Sequence, residues 1–224
     1  NKRFVLFTII LPIGWYIFFY HLQKGVSPSI LLGIAVFIGV IGNSLATFSK
    51  RIASDIGFYS FESHFTSYSV KNYLWDQSIV QLILNSLIFL AVIVVAVLGF
   101  HFPVTTSLLL QFFLLSLMGI YFSVIGFVLG VRVDAKTIDT IGFPIIILAA
   151  MTIIPFDTLG ASGGFMDLVG KLQQAFPGYY YTKLIQDLTE KQTIDATQLA
   201  LFVAVFGLNL LFFYLLVPKG KMGN

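Results

Sequence analysis

The sequence predicts an all-α integral membrane protein. Its mean hydropathy is +0.93, and 10% of its 224 residues are charged, whereas about a quarter of the residues of a typical soluble domain are charged. Apolar stretches of about 20 residues recur along the chain, which is the length that a helix needs to cross the hydrocarbon core of a bilayer. A soluble fold of this size would need far more polar surface.

Six apolar stretches are predicted to cross the membrane as helices. They are residues 4–20, 29–48, 78–99, 106–131, 138–154 and 197–217. Six spans place both termini on one side, and nine of the 13 Lys and Arg residues fall on that side. The positive-inside rule therefore predicts that both termini lie in the cytoplasm. We expect a multi-pass protein of the cell (plasma) membrane. The first stretch lacks the small-residue cleavage pattern of a signal peptide, and since the chain begins at Asn1 rather than Met we expect a short segment to precede it.

A polar segment, residues 49–77, separates the second and third spans. On the topology above it is a long first cytoplasmic loop. Phe58, Phe61 and Phe65 recur within it at near-helical spacing, and Gly57 precedes them as a break. The pattern predicts a short separate helix with an aromatic face. This face either contacts a partner protein or lies on the membrane surface.

A second long non-spanning segment, residues 156–196, is predicted to lie on the outer face. Apolar residues occur at helical spacing on both sides of Pro177 and Gly178. They are Phe165, Leu168, Val169, Leu172 and Phe176 before the break, and Tyr181, Leu184, Ile185 and Leu188 after it. This pattern predicts two short amphipathic helices, which either re-enter the membrane or cover its surface.

Two sets of residues inside the spans suggest roles. Small residues at spacings of three and four form a helix-packing seam on the fourth span: Ser116, Gly119, Ser123, Gly126 and Gly130. Six polar residues either line a substrate path or bond across helices: Asn43, Thr47, Asn85, Gln111, Thr152 and Asn209.

Several classes of function are disfavoured by what the sequence lacks. There is no cysteine, and His21, His64 and His101 fall on different connections, so neither thiolate chemistry nor a metal site is expected. No ionisable residue lies in the middle of a span, although ion-coupled carriers and intramembrane hydrolases usually need one. The basic residues are scattered, which argues against nucleic-acid binding. The phosphate-binding pattern G-x-x-x-x-G-K-[ST] is absent, so we expect no enzyme activity and no nucleotide site in this chain.

Two segments carry a family resemblance. The run Ser67-Tyr68-Ser69-Val70-Lys71-Asn72-Tyr73-Leu74, leading into the third span, resembles the stretch after the cytoplasmic loop in type-2 ABC exporter permeases. The run Pro155-Phe156, followed by Phe176-Pro177-Gly178-Tyr179, is similar to that family's proline-bearing outer segments. The order of spans and loops also matches over nearly the whole chain. Two features depart from the family: a proline common before the Ser-x-Lys-like turn is replaced around Ser67 and Tyr68, and the usual amphipathic amino-terminal helix is missing.

The resemblance implies a permease that moves an amphipathic substrate, such as a drug, lipid-like molecule, peptide or glycan. It implies a cytoplasmic ATP-binding cassette ATPase as partner, which binds ATP and Mg²⁺, while this chain holds no cofactor. It also implies a second permease copy or homologue, surrounded by membrane lipids. The residues that would transmit motion from the ATPase through a coupling helix are Asp55, Phe58, Tyr59, Phe61, Glu62, His64, Phe65, Tyr68 and Lys71.

Two other functions remain open. A non-transporting membrane protein, such as an immunity or scaffold factor, could bind a partner through the same loop. A channel or ion-coupled carrier would work without any ATPase, but the uncharged spans disfavour it.

Overall fold

The computed structural model describes residues 2–191 and 193–218, and within these ranges the chain forms eight helices and no strand. The first two helices each contain a π-helical stretch. Helix α1 comprises Lys2–Val5, the π-helical Leu6–Ile10 and Leu11–Leu22, and α2 comprises Pro28–Gly42, the π-helical Asn43–Phe48 and Ser49–Ser63. The others are α3 (Val70–Phe100), α4 (Thr106–Arg132), α5 (Ala135–Met151), α6 (Gly164–Gln173), α7 (Pro177–Glu190) and α8 (Ala196–Leu215).

Four of the described helices are long and apolar enough to cross a membrane: Pro28–Glu62, Val70–Phe100, Thr106–Arg132 and Ala196–Leu215. They contain the second, third and fourth predicted spans and all but the last two residues of the sixth. The first predicted span falls on α1, of which Thr8–Leu22 is a shorter apolar stretch, and the fifth falls on the 17-residue α5. The fold is that of a helical membrane protein.

Helix α2 lies at the centre of the bundle. Its first part, Pro28–Gly42, is apolar on all sides and contacts α1, α3, α4, α5 and α7. A helix that is hydrophobic all round belongs either in a protein core or in a membrane. This one is surrounded by other helices, and Leu32 and Ala35 are fully buried. Pro12 of α1 packs directly onto Gly39, where an added Cβ atom would lie 2.4 Å from the proline ring.

Small residues of α4 lie at its closest approaches to α2 and α3. A Cβ atom added to Gly126 would lie 2.1 Å from the Ser44 carbonyl oxygen, and one added to Gly130 would lie 2.5 Å from the Ser49 carbonyl oxygen. Gly119 faces the Asn85 side chain of α3. The three glycines of the predicted seam thus lie where α4 approaches α2 and α3 most closely. Its two serines bond within their own helix, Ser116 to the Phe112 carbonyl and Ser123 to the Gly119 carbonyl.

The predicted loop at residues 49–77 is helical over most of its length, and the break expected at Gly57 is wrong. Gly57 lies inside Ser49–Ser63, which continues α2, and α3 already begins at Val70. The segment is therefore a helical hairpin with a turn at residues 64–69. The polar composition suggested a loop, but polar residues only mark where a helix leaves the apolar layer. One buried face, including Ile52 and Tyr73, is enough to keep both helices packed.

The segment between the fifth and sixth predicted spans contains two helices, α6 and α7, on either side of the expected break. Pro177 occupies the first position of α7, where its missing N–H group costs nothing. Helix α7 packs against α2, α4 and α8, and Tyr181 and Leu184 on it are buried. The apolar face of α6 is uncovered, because Phe165 and Leu168 are exposed.

Candidate partner-binding site at the helical hairpin

Polar contacts join the base of the hairpin to the bundle. The Lys50 ammonium bonds the Asp139 carboxylate of α5 at 2.5 Å. The Arg51 guanidinium donates to the Gln77 side-chain oxygen at 3.2 Å and lies over the Phe48 ring, 5.2 Å from its centroid. These contacts join α2 to α3 and α5 at the base of the hairpin.

A group of tyrosines joins the two arms of the hairpin. Tyr59 of α2 lies against Tyr73 of α3, with ring centroids 4.2 Å apart, and stacks at 6.4 Å on Tyr68 in the turn. The Tyr68 hydroxyl donates a short hydrogen bond to the Asp76 carboxylate. Burial and this bond raise the pKa of the Tyr68 hydroxyl, so it stays protonated as a donor. Two of the predicted coupling residues, Tyr59 and Tyr68, are thus structural parts of the hairpin.

The turn itself is held by a helix cap. The Ser69 hydroxyl accepts a hydrogen bond from the Asn72 backbone N–H at 3.2 Å, which satisfies a donor in the first turn of α3. On the other arm, an imidazole nitrogen of His64 bonds the Ser60 carbonyl at 2.8 Å. Both interactions are local, and they fix the ends of the two helices around residues 64–69.

An aromatic stripe covers the free side of the hairpin. Phe58, Phe61 and Phe65 expose 68%, 65% and 76% of their surface, and the rings of Phe61 and Phe65 are 5.2 Å apart. Asp55 and Glu62 are also exposed. Asp55 lies three residues before Phe58 and Glu62 four residues after it, so the two carboxylates flank this ring on one face of the helix. The structure thus brings five predicted coupling residues onto one acidic and aromatic surface.

The length of α2 places this stripe away from the apolar layer. At 1.5 Å per residue, the 21 residues 28–48 cover about 31 Å, close to the hydrocarbon thickness of a bilayer. Phe58 lies ten residues further and Ser63 fifteen, about 15 and 22 Å beyond Phe48 along the same helix. A headgroup layer is only about 5–8 Å thick. A helix that continues straight therefore carries the stripe past the headgroups, which favours contact with a protein over contact with lipid.

A mixed polar groove of about 440 Å³ lies beside the tyrosines. Its lining includes Glu62, Tyr68 and Asp76, together with two residues that sequence reasoning missed, Thr66 and Asn72. Asp139 was missed as well, because the ion pair that it forms with Lys50 spans 89 residues of sequence. Asp76 could have been identified by its spacing, because it lies eight residues, or about two helical turns, after Tyr68.

Lys71 is set apart from the other predicted coupling residues. Its ammonium lies over the Tyr214 ring of α8, 4.6 Å from the centroid. It therefore faces the bundle at the level of the last turn of α8. The structure does not bring Lys71 onto the aromatic stripe.

The six polar residues predicted for a substrate path occupy separate places. Gln111 donates to the Ser29 carbonyl of α2 at 2.7 Å, and Asn209 donates to the Ala175 carbonyl before α7 at 3.0 Å. Thr152 bonds the Ala149 carbonyl at the end of α5, and Asn85 accepts a bond from Gln81 at 3.2 Å. Asn43 is buried and Thr47 is half-buried, one turn apart on α2. Most of these residues thus stabilise helix ends and helix contacts.

The described residues contain no group of three or more histidine, aspartate or glutamate side chains that could hold a metal ion. The site has the features of a protein-docking surface: a rigid base, exposed aromatic rings and flanking carboxylates. In comparisons with known proteins, the chain matches no protein-family model, no curated protein and no solved structure.

Proposed function

We propose that this protein is the permease subunit of an ATP-driven exporter and that a separate cytoplasmic ATPase drives it through the helical hairpin. One observation supports this proposal above the others. The helix that carries the exposed phenylalanine stripe is continuous with the most buried helix of the bundle. A partner that binds Phe58, Phe61 and Phe65 would hold one end of α2 directly.

This continuity gives the hairpin a mechanical role. A continuous helix transmits displacement along its axis, and α2 contacts α1, α3, α4, α5 and α7. When two nucleotide-bound ATPase subunits close, they would move the hairpin and tilt α2 against these neighbours. Such a rigid-body shift is one of the standard ways in which a site is opened alternately to two sides.

The proposal includes six membrane spans, with α1 and α5 as the first and the fifth, and both termini in the cytoplasm. The protein works in the cell membrane as a dimer with a second copy or a homologous permease. ATP and Mg²⁺ bind to the partner ATPase, which therefore carries out the hydrolysis. The substrate is amphipathic, in keeping with spans that offer few polar groups and no charge at mid-depth.

The second candidate is a non-transporting immunity or scaffold protein that binds a partner through the same hairpin. The placement of the predicted path residues favours it, because Gln111 and Asn209 are engaged in bonds to backbone carbonyls of other elements. The two candidates share the docking surface. They differ in whether binding moves the bundle.

The test is co-purification of the full chain in mild detergent, followed by reconstitution into vesicles. We expect a nucleotide-binding protein to co-purify with the wild type and to be lost from the double variant Phe61→Ala, Glu62→Ala. Because a central interface aromatic contributes about 2 kcal/mol or more, the loss should be at least about 30-fold in affinity. The control Phe165→Ala removes an equally exposed ring on α6 and should retain the partner.

Transport separates the candidates. ATP-dependent export by the reconstituted complex, reduced by the double variant, supports the permease. A bound partner without ATP-dependent transport indicates the scaffold function. If the ATPase co-purifies and both its turnover and export survive the double substitution, the coupling role of the hairpin is wrong.

A further inference from the structure

An apolar groove of about 430 Å³ runs between α3, α4 and α8. It is lined almost wholly by apolar atoms, with Trp75 and Leu82 on α3, Val124 on α4, and Gly207 and Tyr214 on α8. Leu74 to Leu82 covers eight residue steps, so the groove is about 12 Å long along α3. A lipid chain that lies parallel to α3 would run along this lining.

One end of the groove is basic. Lys71 lies one helical turn before Trp75, and its ammonium contacts the Tyr214 ring. The Arg132 guanidinium at the end of α4 donates to the carbonyl of Leu216, two residues after Tyr214. Among the described residues, no carboxylate forms an ion pair with either cation. Asp76, the acidic residue nearest to Lys71 in sequence, accepts a hydrogen bond from Tyr68 instead.

The groove also lies at a suitable depth. The apolar stretch of α3 begins at residue 78, so Trp75 lies at the boundary where tryptophan is enriched in membrane proteins. Lys71 lies one turn further out along α3, and its long side chain, whose ammonium contacts the Tyr214 ring, can reach back to the lipid headgroups. A basic pocket between membrane helices that opens onto an apolar groove matches the two parts of an anionic phospholipid.

We propose that this groove binds an anionic phospholipid, with one acyl chain between α3 and α8 and the headgroup phosphate at Lys71. The cation supplies selectivity for the headgroup, and the apolar lining accepts the chain. This inference does not depend on the function proposed above. It requires only that the chain lies in a bilayer.

The sequence offers a direct probe, because Trp15 and Trp75 are its two tryptophans. The variant Trp15→Phe leaves Trp75 as the sole emitter. The assay measures quenching of Trp75 by lipids with brominated chains in phosphatidylcholine vesicles. We expect brominated phosphatidylglycerol to show an apparent association constant about fivefold higher than that of brominated phosphatidylcholine. One cation near an anionic headgroup contributes about that factor. Adding Lys71→Gln should remove the preference and leave the two lipids equal.

A matched pair of variants tests the groove itself. Gly207 lines the groove, and outside its own turn of helix no atom of the described residues lies within 4 Å of an added Cβ atom. We therefore expect Gly207→Phe to place its ring in the groove. We expect it to lower quenching by both lipids, whereas Leu208→Phe, at the next and exposed position, should leave it unchanged. Equal association of the two lipids, or a preference that survives Lys71→Gln, overturns the proposal. The proposal is also overturned if neither lipid quenches Trp75, which would indicate that a second copy of the chain covers the groove.

Discussion

Replacing Gly126 by alanine tests the contact between α4 and α2, on which the whole bundle depends. The added Cβ atom would lie 2.1 Å from the Ser44 carbonyl oxygen, whereas unbonded carbon and oxygen atoms normally stay at least about 3.3 Å apart. The two helices must therefore separate by about 1.2 Å. Both atoms belong to the backbone or are fixed to it, so no side-chain rotation relieves the clash.

The size of the effect follows from two opposing contributions. Overpacking of this kind costs up to about 3 kcal/mol, and exchanging glycine for alanine inside a helix returns about 1 kcal/mol. The net loss is about 2 kcal/mol of unfolding free energy. For a chain of this size, each kcal/mol corresponds to about 2–4 °C, so we expect the melting temperature to fall by about 4–8 °C.

Thermal unfolding of the purified protein, in one detergent and at one heating rate, is the assay. Gly14→Ala is the matched control, because Gly14 also lies inside an apolar helix and no atom of the described residues is within 4 Å of its added Cβ atom. It should melt at or slightly above the temperature of the wild type. If Gly126→Ala melts as high as Gly14→Ala, then α4 does not pack on α2 at this point and the described bundle is incorrect.

Three further changes test the hairpin and its surroundings. Gly57→Ala should raise the unfolding free energy by up to about 1 kcal/mol, since Gly57 lies inside a helix; a loss of stability would show that the helix breaks there. Ser69→Ala should lower it by about 1 kcal/mol by removing the cap of α3, and an unchanged melting curve would contradict the cap. Hydrogen bonds from the Thr137 hydroxyl and backbone hold the pKa of Asp134 below its usual range. The Asp134 carboxylate therefore stabilises the fold fully above the unfolded pKa, near 3.9. This stabilisation is lost as the pH falls through the lower folded pKa. Asp134→Asn should therefore remove part of the acid sensitivity of melting below about pH 4, and an unchanged acid profile would count against this role.

Hydropathy predicted most of the helix positions, because a helix that crosses a bilayer must be long and apolar whether its side chains face lipid or other helices. The small-residue seam was predictable for a steric reason, since only glycine fits where Gly126 meets a backbone carbonyl. The two helices on either side of Pro177 followed from apolar spacing and the proline.

The hairpin could be predicted only in part. Its composition indicated a polar segment, but the continuation of α2 through Gly57 depends on tertiary contacts such as Ile52 against Gly130, which no local pattern reveals. The Lys50–Asp139 ion pair and the position of Lys71 over Tyr214 also join distant parts of the chain. Periodicity did identify Phe58, Phe61 and Phe65, because residues at that spacing share one face of a helix.

Site-specific photo-cross-linking in intact membranes tests the central claim most directly. A photoreactive phenylalanine at position 61 should cross-link to a protein that binds ATP, and the same group at position 165 on α6 should not. Cross-links from position 61 only to lipid, or to no protein, would contradict the claim that the hairpin is the docking surface for an ATPase.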